Sequence, residues 1–151
     1  MPVGLGFHTT FNTTAENGYK VHADVLKEFT RNEKYLPTGE FNDKSAIINE
    51  LKSSFGFDTS REVSALFELG EDHLITIQTD SNARINYLLD EKYKYLMVFN
   101  TGSEGKYVCI EPQTWISNCP NFADRERYGF SYIKPNETVS YNSSIFIDFV
   151  D

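Results

Sequence analysis

Apolar and polar residues alternate along most of the chain, which is the pattern of half-buried β-strands. In residues 19–25, Tyr, Val, Ala and Val fill the odd positions while Lys, His and Asp fill the even ones. Similar apolar runs recur and are bounded by residues that favour turns. The pattern predicts strands at Tyr19–Val25, Glu62–Leu69, Leu74–Thr79, Tyr95–Asn100, Tyr107–Glu111, Tyr128–Ile133 and Ser144–Val150.

Turn residues join some of these strands into pairs. Gly70-Glu71-Asp72 has the composition of a hairpin turn between the second and third predicted strands. The glycines of residues 101–105 mark another turn, between the fourth and the fifth. We therefore expect antiparallel pairing in both places.

One segment has helical rather than strand spacing. Between Asp43 and Phe55, apolar residues recur three and four positions apart. Asn42 or Asp43 is a suitable cap at the start, and Gly56 at the end. The sequence predicts one short helix inside an otherwise all-β domain, arranged as a β-sandwich or barrel over residues 1–151.

Composition narrows the class of protein. The 151 residues suffice for one core, and the 15% aromatic content favours strands. A net charge of -8 repels phosphate backbones and anionic lipids, so neither nucleic acid nor a membrane surface is an expected partner. Two cysteines and no signal peptide are typical of a reduced, cytoplasmic protein.

Two residues have the chemistry for acid–base catalysis near neutral pH. His8 lies in the motif Gly6–Asn12 and Glu111 follows an apolar run, each in a segment typical of a β-strand. An imidazole can give a proton while a carboxylate takes one. Each also has an ordinary explanation, as a structural histidine and as a solvated strand end. Three scattered histidines do not suggest a metal site, so we expect none.

Trp115, the single tryptophan, follows Glu111 by four residues. Its ring could stack on a sugar, or it could anchor a loop. The anchoring role is the slightly favoured one.

Four segments resemble motifs of the aldose 1-epimerase (galactose mutarotase) family, in the family's order. Gly6–Asn12 is similar to a motif that reads approximately His-Pro-Tyr-Phe-Asn. Tyr35–Glu40 contains Leu-Pro-Thr-Gly-Glu, and Cys109–Gln113 with the following Asn121 resembles the Glu-Pro-Gln stretch. Lys134–Thr138 resembles a Pro-Gly-Glu-Thr turn before the last strand.

The resemblance implies a galactose mutarotase-like β-sandwich that interconverts the α and β anomers of a free hexose without metal or cofactor. It implies that His8 is the general acid, which protonates the ring oxygen. Glu111 would be the general base, which takes the proton of the anomeric hydroxyl. Asp58 and Gln113 would bind the substrate.

Two departures from the family pattern matter. Thr9-Thr10 replaces its Pro-Tyr pair. Family members are also much longer, and the chain resembles only their C-terminal half, so the Arg and second His that the other half contributes have no counterpart by motif. A half-sandwich exposes sheet edges and apolar faces, and we expect it to associate with itself or with an N-terminal half.

Other functions remain open from sequence alone. One is a non-catalytic sugar-binding or interaction domain. Another is a hexose-phosphate epimerase relative, for which Arg61, Arg84 and Lys106 are the available basic residues. A glycosidase needs two carboxylates flanking one bond, and no second carboxylate suggests itself.

Overall fold

The structure, a computed structural model, is a two-sheet β-sandwich and describes residues 1–13, 18–79 and 82–149. All strand pairs are antiparallel. The described elements, in chain order, are β1 (Thr9–Asn12), β2 (Lys20–His22), β3 (Val25–Arg31), β4 (Pro37–Asn42), α1 (Ala46–Lys52), β5 (Phe57–Asp58), β6 (Ser64–Leu69), β7 (Leu74–Gln78), β8 (Ala83–Leu89), β9 (Tyr95–Phe99), β10 (Tyr107–Gln113) and β11 (Ser143–Phe149), with 3-10 helices at Cys119–Asn121 and Arg125–Tyr128.

The two sheets differ in size. The larger has six strands in the order β1-β10-β9-β6-β3-β4, and the smaller has five in the order β11-β8-β7-β2-β5. The predicted all-β sandwich is confirmed, and the described residues contain a single α-helix.

The core lies between the sheets because the apolar side chains on the inner face of each sheet pack against one another. Val108 and Ile110 of β10 face Ile75 and Ile77 of β7 across a cluster in which all four side chains are buried. The alternate side chains of the larger sheet point to its outer face. Part of that outer face is covered by residues 115–130, whose Ile116 packs in a second cluster with side chains of β3, β6 and β9.

The predicted strand Tyr19–Val25 is two strands in different sheets. β2 ends at His22 and β3 begins at Val25. The alternation of buried residues continues through the break, because Val21, Ala23 and Val25 are all buried. The alternation of apolar and polar residues therefore predicts which side chains are buried, but it does not reveal that the chain passes from one sheet to the other.

The predicted hairpin at Gly70–Asp72 is also wrong. β6 belongs to the larger sheet and β7 to the smaller, so this turn crosses from one layer to the other. Asp24 explains the crossing, since its backbone carbonyl accepts the amide of Gly70 and its side chain accepts those of Glu71 and Asp72. The second predicted pairing, β9 with β10, is confirmed.

Three further details differ from expectation. The helix covers Ala46–Lys52 with Ser45 at its N-cap, so it is shorter than predicted. Residues 128–133 form no strand, because Tyr128 and Phe130 instead pack onto the outer face of the larger sheet. β10 also extends beyond its predicted end at Glu111, through Pro112 to Gln113.

The last strand is the most exposed apolar element of the described chain. Ile147 and Phe149 of β11 are 62% and 77% exposed, and β11 is the edge of the smaller sheet. Val150, at the end of the predicted strand, lies outside the described residues. Within the described ranges, no helix has the length and hydropathy to cross a membrane.

Candidate active site

The pairing of β1 with β10 brings the two sequence-predicted catalytic residues together. Thr9 lies opposite Ile110 and Thr10 opposite Cys109. His8 directly precedes β1, and continuing this register places it opposite Glu111. The structure sets His8 Nε2 3.2 Å from Glu111 Oε1. Two segments from opposite ends of the sequence thus present an imidazole and a carboxylate in direct contact.

The alternation of strand side chains puts this pair on the outer face of the larger sheet. Phe11 and Ile110 belong to the opposite phase and pack into the core between the sheets. The core therefore fixes the register, and the register fixes the direction of His8 and Glu111. A shift of one residue between β1 and β10 would send His8 to the opposite side.

The two members of the pair have different environments. The Glu111 side chain is only 14% exposed, whereas that of His8 is 69% exposed. Burial raises the pKa of Glu111 above its ordinary value, and the nearby charge of His8 lowers it by a smaller amount. A carboxyl with a raised pKa is a stronger base than a solvated one once it is ionised.

Cys109 is a neighbour that sequence reasoning did not assign to the site. It lies two residues before Glu111 on the same strand phase, and its Sγ is 3.4 Å from Thr10 Oγ1. Burial raises the pKa of the Cys109 thiol. The ligand-type atoms of His8, Cys109 and Glu111 all lie within 4.8 Å of one another, so among the described residues these three form a group that could hold a metal ion.

Arg31 is a second residue that sequence reasoning missed. It ends β3 and lines an open cavity of about 350 Å³ with Ser64, Met97 and Phe99 of the neighbouring strands. Its guanidinium donates to the carbonyl and hydroxyl of Ser64, and Nη1 is 4.0 Å from Met97 Sδ. Met97 is the register partner of Glu111, so the cavity lies on the same face as His8 and Glu111.

The charge of Arg31 is poorly compensated. Burial lowers its pKa, and the charge of Glu28 acts in the opposite sense. Arg31 takes part in none of the ion pairs found among residues 1–13, 18–79 and 82–149. The three basic residues named from the sequence do form such pairs: Arg61 with Glu50, Arg84 with Asp148 and Lys106 with Glu104.

Gln113 and Asp58, the predicted substrate-binding residues, lie in different places. Gln113 ends β10, two residues beyond Glu111 on the same phase, and forms a backbone bridge with Gly6. Asp58 lies on β5 of the other sheet, and its carboxylate accepts hydrogen bonds from Lys20 and Ser60. Burial alone would raise the pKa of Asp58, but these bonds hold it at about 2. The structure therefore groups Gln113 with the pair and leaves Asp58 apart from it.

Trp115 has the surroundings of an anchor. Its ring stacks on Phe130 with centroids 5.4 Å apart, and it packs against Gly4, where an added Cβ would come within 1.8 Å of the indole. This packing joins the N-terminal segment to the loop that follows β10.

Comparison with known proteins gives one family and several similar folds. The aldose 1-epimerase family model matches residues 1–145. A galactose mutarotase-like protein from Clostridium acetobutylicum has a TM-score of 0.89 and 31% identity, covering 99% of this chain and 48% of that one.

Two more distant structures share the fold. A protein of Escherichia coli K12, provisionally named an aldose 1-epimerase, has a TM-score of 0.77 and 17% identity, covering 99% of this chain and 52% of its own. A protein of Synechocystis sp. PCC 6803 has a TM-score of 0.72 and 18% identity, with coverages of 99% and 46%. The chain thus spans about half the length of each of these proteins.

Proposed function

The chain belongs to the aldose 1-epimerase family, and from this premise we propose that it interconverts the α and β anomers of a free hexose. The observation that carries the proposal is the contact of His8 Nε2 with Glu111 Oε1, at 3.2 Å on an open sheet face. One proton donor and one proton acceptor at a single hemiacetal centre are what anomer exchange requires. The substrate is an aldose, and no metal or cofactor takes part.

In the proposed mechanism, Glu111 accepts the proton of the anomeric hydroxyl while His8 donates a proton to the ring oxygen. The bond between the anomeric carbon and the ring oxygen breaks, and the open-chain aldehyde forms. Rotation about the C1–C2 bond presents the other face of the carbonyl. On closure His8 takes back the proton from the attacking hydroxyl and Glu111 returns its proton to the carbonyl oxygen, so both residues end as they began.

The two residues of the pair differ in how freely they can move to admit the sugar. His8 and Glu111 contact each other directly in the free protein, so the hexose must separate them to insert its anomeric centre. Glu111 lies on β10, which is paired with β1 on one side and β9 on the other, whereas His8 is exposed and lies just before the edge strand β1. We therefore propose that His8 is the member that moves when the sugar binds.

Gln113 and Asp58 are proposed to bind substrate hydroxyls. Support for Gln113 comes from its position two residues beyond Glu111 on the same strand phase. For Asp58 the support is the family resemblance alone, and a sugar hydroxyl would have to compete with Lys20 and Ser60 for its carboxylate.

Polarimetry on freshly dissolved α-glucose or α-galactose tests the function. The protein should bring the rotation to its equilibrium value faster than the spontaneous reaction does. His8→Ala should return the rate to the spontaneous level, whereas His73→Ala, which changes a histidine in the turn before β7, should keep the wild-type excess. A wild-type excess that survives His8→Ala would remove this histidine from the mechanism.

Arg31 supports a second candidate, a hexose-phosphate epimerase relative. A half-buried guanidinium outside any described ion pair would gain more from a bound phosphate than a paired one would. If the substrate is phosphorylated, Arg31→Met should lower kcat/KM for glucose 6-phosphate and leave that for glucose unchanged. Equal effects on both sugars would exclude this candidate.

A non-catalytic sugar-binding domain is the remaining alternative. It would bind hexose in a titration without accelerating mutarotation. We also propose that another polypeptide surface, from a second copy or an N-terminal half, covers the apolar side chains of β11.

A further inference from the structure

We propose that His8, Cys109 and Glu111 form a binding site for Zn²⁺ and similar thiophilic divalent cations, and that the bound metal excludes the sugar. Metal binding is a property of the side chains alone. The exclusion of the sugar, by contrast, rests on the proposed function, because it assumes that the same pair binds the anomeric centre.

The three side chains offer a suitable donor set. A thiolate, an imidazole nitrogen and a carboxylate oxygen are the ligands that Zn²⁺ uses in proteins, and three of them with one open position is a recurrent arrangement. Cys109 and Glu111 alternate by two on one strand and therefore point the same way. His8 reaches them from the register-paired segment.

The distances require only a small adjustment. The three ligand atoms lie within 4.8 Å of one another, whereas tetrahedral bonds of zinc length put such atoms roughly 3.3–3.8 Å apart. A contraction of about 1 Å is therefore needed. His8 can supply it, because its side chain is 69% exposed and lies just outside β1.

Cys109 supplies the sulfur ligand from a buried position. Binding of the cation transfers the thiol proton to solvent as the metal–sulfur bond forms. Thr10, whose Oγ1 is 3.4 Å from the sulfur, is placed to orient it from outside the ligand set.

Occupancy by the metal would stop the proposed reaction directly. The lone pair of His8 and the carboxylate oxygen of Glu111 would both be bound to the cation, so neither could exchange a proton with the hexose. Inhibition should be competitive with the sugar and reversible by a chelator.

Co²⁺ is the probe for binding, because its thiolate charge-transfer absorption reports a metal–sulfur bond without any activity. The wild-type protein should develop this band at one equivalent of Co²⁺. Cys109→Ser should abolish it, and the exposed-position variant His8→Gln should weaken Co²⁺ binding. Cys119→Ser is the matched control, since Cys119 is the other buried free cysteine and lies in the second cluster, so the band should persist.

Zn²⁺ titration of mutarotation then tests the consequence. We expect wild type and Cys119→Ser to lose activity and regain it with a chelator, while Cys109→Ser needs at least about tenfold more Zn²⁺, each measured against its own zinc-free rate. A band that survives Cys109→Ser, or no band in the wild type, overturns the site. Absence of mutarotation would instead count against the proposed function, since the Co²⁺ spectrum would still decide the site.

Discussion

Glu111→Gln should remove catalysis and stabilise the fold at the same time. The amide has nearly the shape of the carboxylate, so packing against the sheet is preserved. It cannot act as a base, and removal of a general base typically costs about 10²–10⁴ in rate, or about 2.7–5.4 kcal/mol in the activation free energy. With the Glu111 side chain 14% exposed, solvent cannot replace the lost base by occupying the same position.

The stabilising effect follows from the direction of the pKa shift. Burial raises the pKa of Glu111 in the folded state, so the folded protein holds this proton more tightly than the unfolded chain does. The protonated group contributes stability below the unfolded value of about 4.3, and that contribution is lost as pH rises through the raised folded value. Glutamine does not titrate, so the variant should match wild type in acid and exceed it at neutral pH.

The assay is urea denaturation of wild type and Glu111→Gln across this pH range, beside polarimetry on the same samples. Glu91→Gln, at an exposed position, is the control for loss of one negative charge. A variant that is less stable than wild type at neutral pH would refute the argument from burial. A variant that keeps its rate enhancement would refute the role of Glu111 as base.

Three other predictions concern the fold and its surfaces. In urea denaturation, Gly129→Ala should lower the free energy of unfolding by at least about 2 kcal/mol more than Gly102→Ala does. Both positions have positive φ, but an added Cβ at Gly129 would lie 2.2 Å from a backbone oxygen, whereas one at Gly102 would have no neighbour within 4 Å. Equal losses would contradict this close approach at Gly129. Asp58→Asn should remove a pH-dependent contribution that is present above about pH 3.9 and is lost as pH falls through its folded pKa of about 2, so wild type and variant should converge in acid denaturation. Convergence at neutral pH instead would mean that the bond with Lys20 contributes nothing. Ile147→Lys should reduce concentration-dependent association in sedimentation velocity, since this side chain is 62% exposed on an edge strand, and unchanged association would place the contact elsewhere.

The parts of the fold that the sequence predicted well are those decided locally. β9 and β10 are strongly apolar, and a short glycine-containing turn separates them, so their pairing needs no distant partner. β4 contains Pro37 and Gly39 and lies at a sheet edge, where strand propensity is weak, and it was not predicted. β8 was missed because it carries Arg and Asn among its apolar residues.

The wrong hairpin shows the limit of local patterns. A turn between two apolar strands looks the same whether the strands pair or separate into two sheets. Here the hydrogen bonds of Asp24 to residues 70–72 accompany the separation, and Asp24 is distant in sequence. No window around residue 70 contains that information.

The candidate site likewise contains residues that local motifs predict and residues that only the tertiary structure reveals. His8 and Glu111 were found because each lies in a motif, and the two motifs meet by strand register. Arg31 and Cys109 lie in no catalytic motif. Arg31 reaches the site face only through its contacts with Ser64 and Met97 on two other strands, which tertiary structure alone creates.

The pairing of β1 with β10 has a consequence for how activity is lost. β1 has four residues, lies at a sheet edge and joins positions such as Thr10 and Cys109 that are 99 residues apart in sequence. Short edge strands open at a lower free energy than the core, so transient detachment of β1 would carry His8 away from Glu111 while the rest of the sandwich stays folded. Amide exchange of Thr9 and Phe11, which lie on the same hydrogen-bonding phase toward β10 as Phe7 and Thr13, would then report the fraction of molecules that hold an assembled acid–base pair.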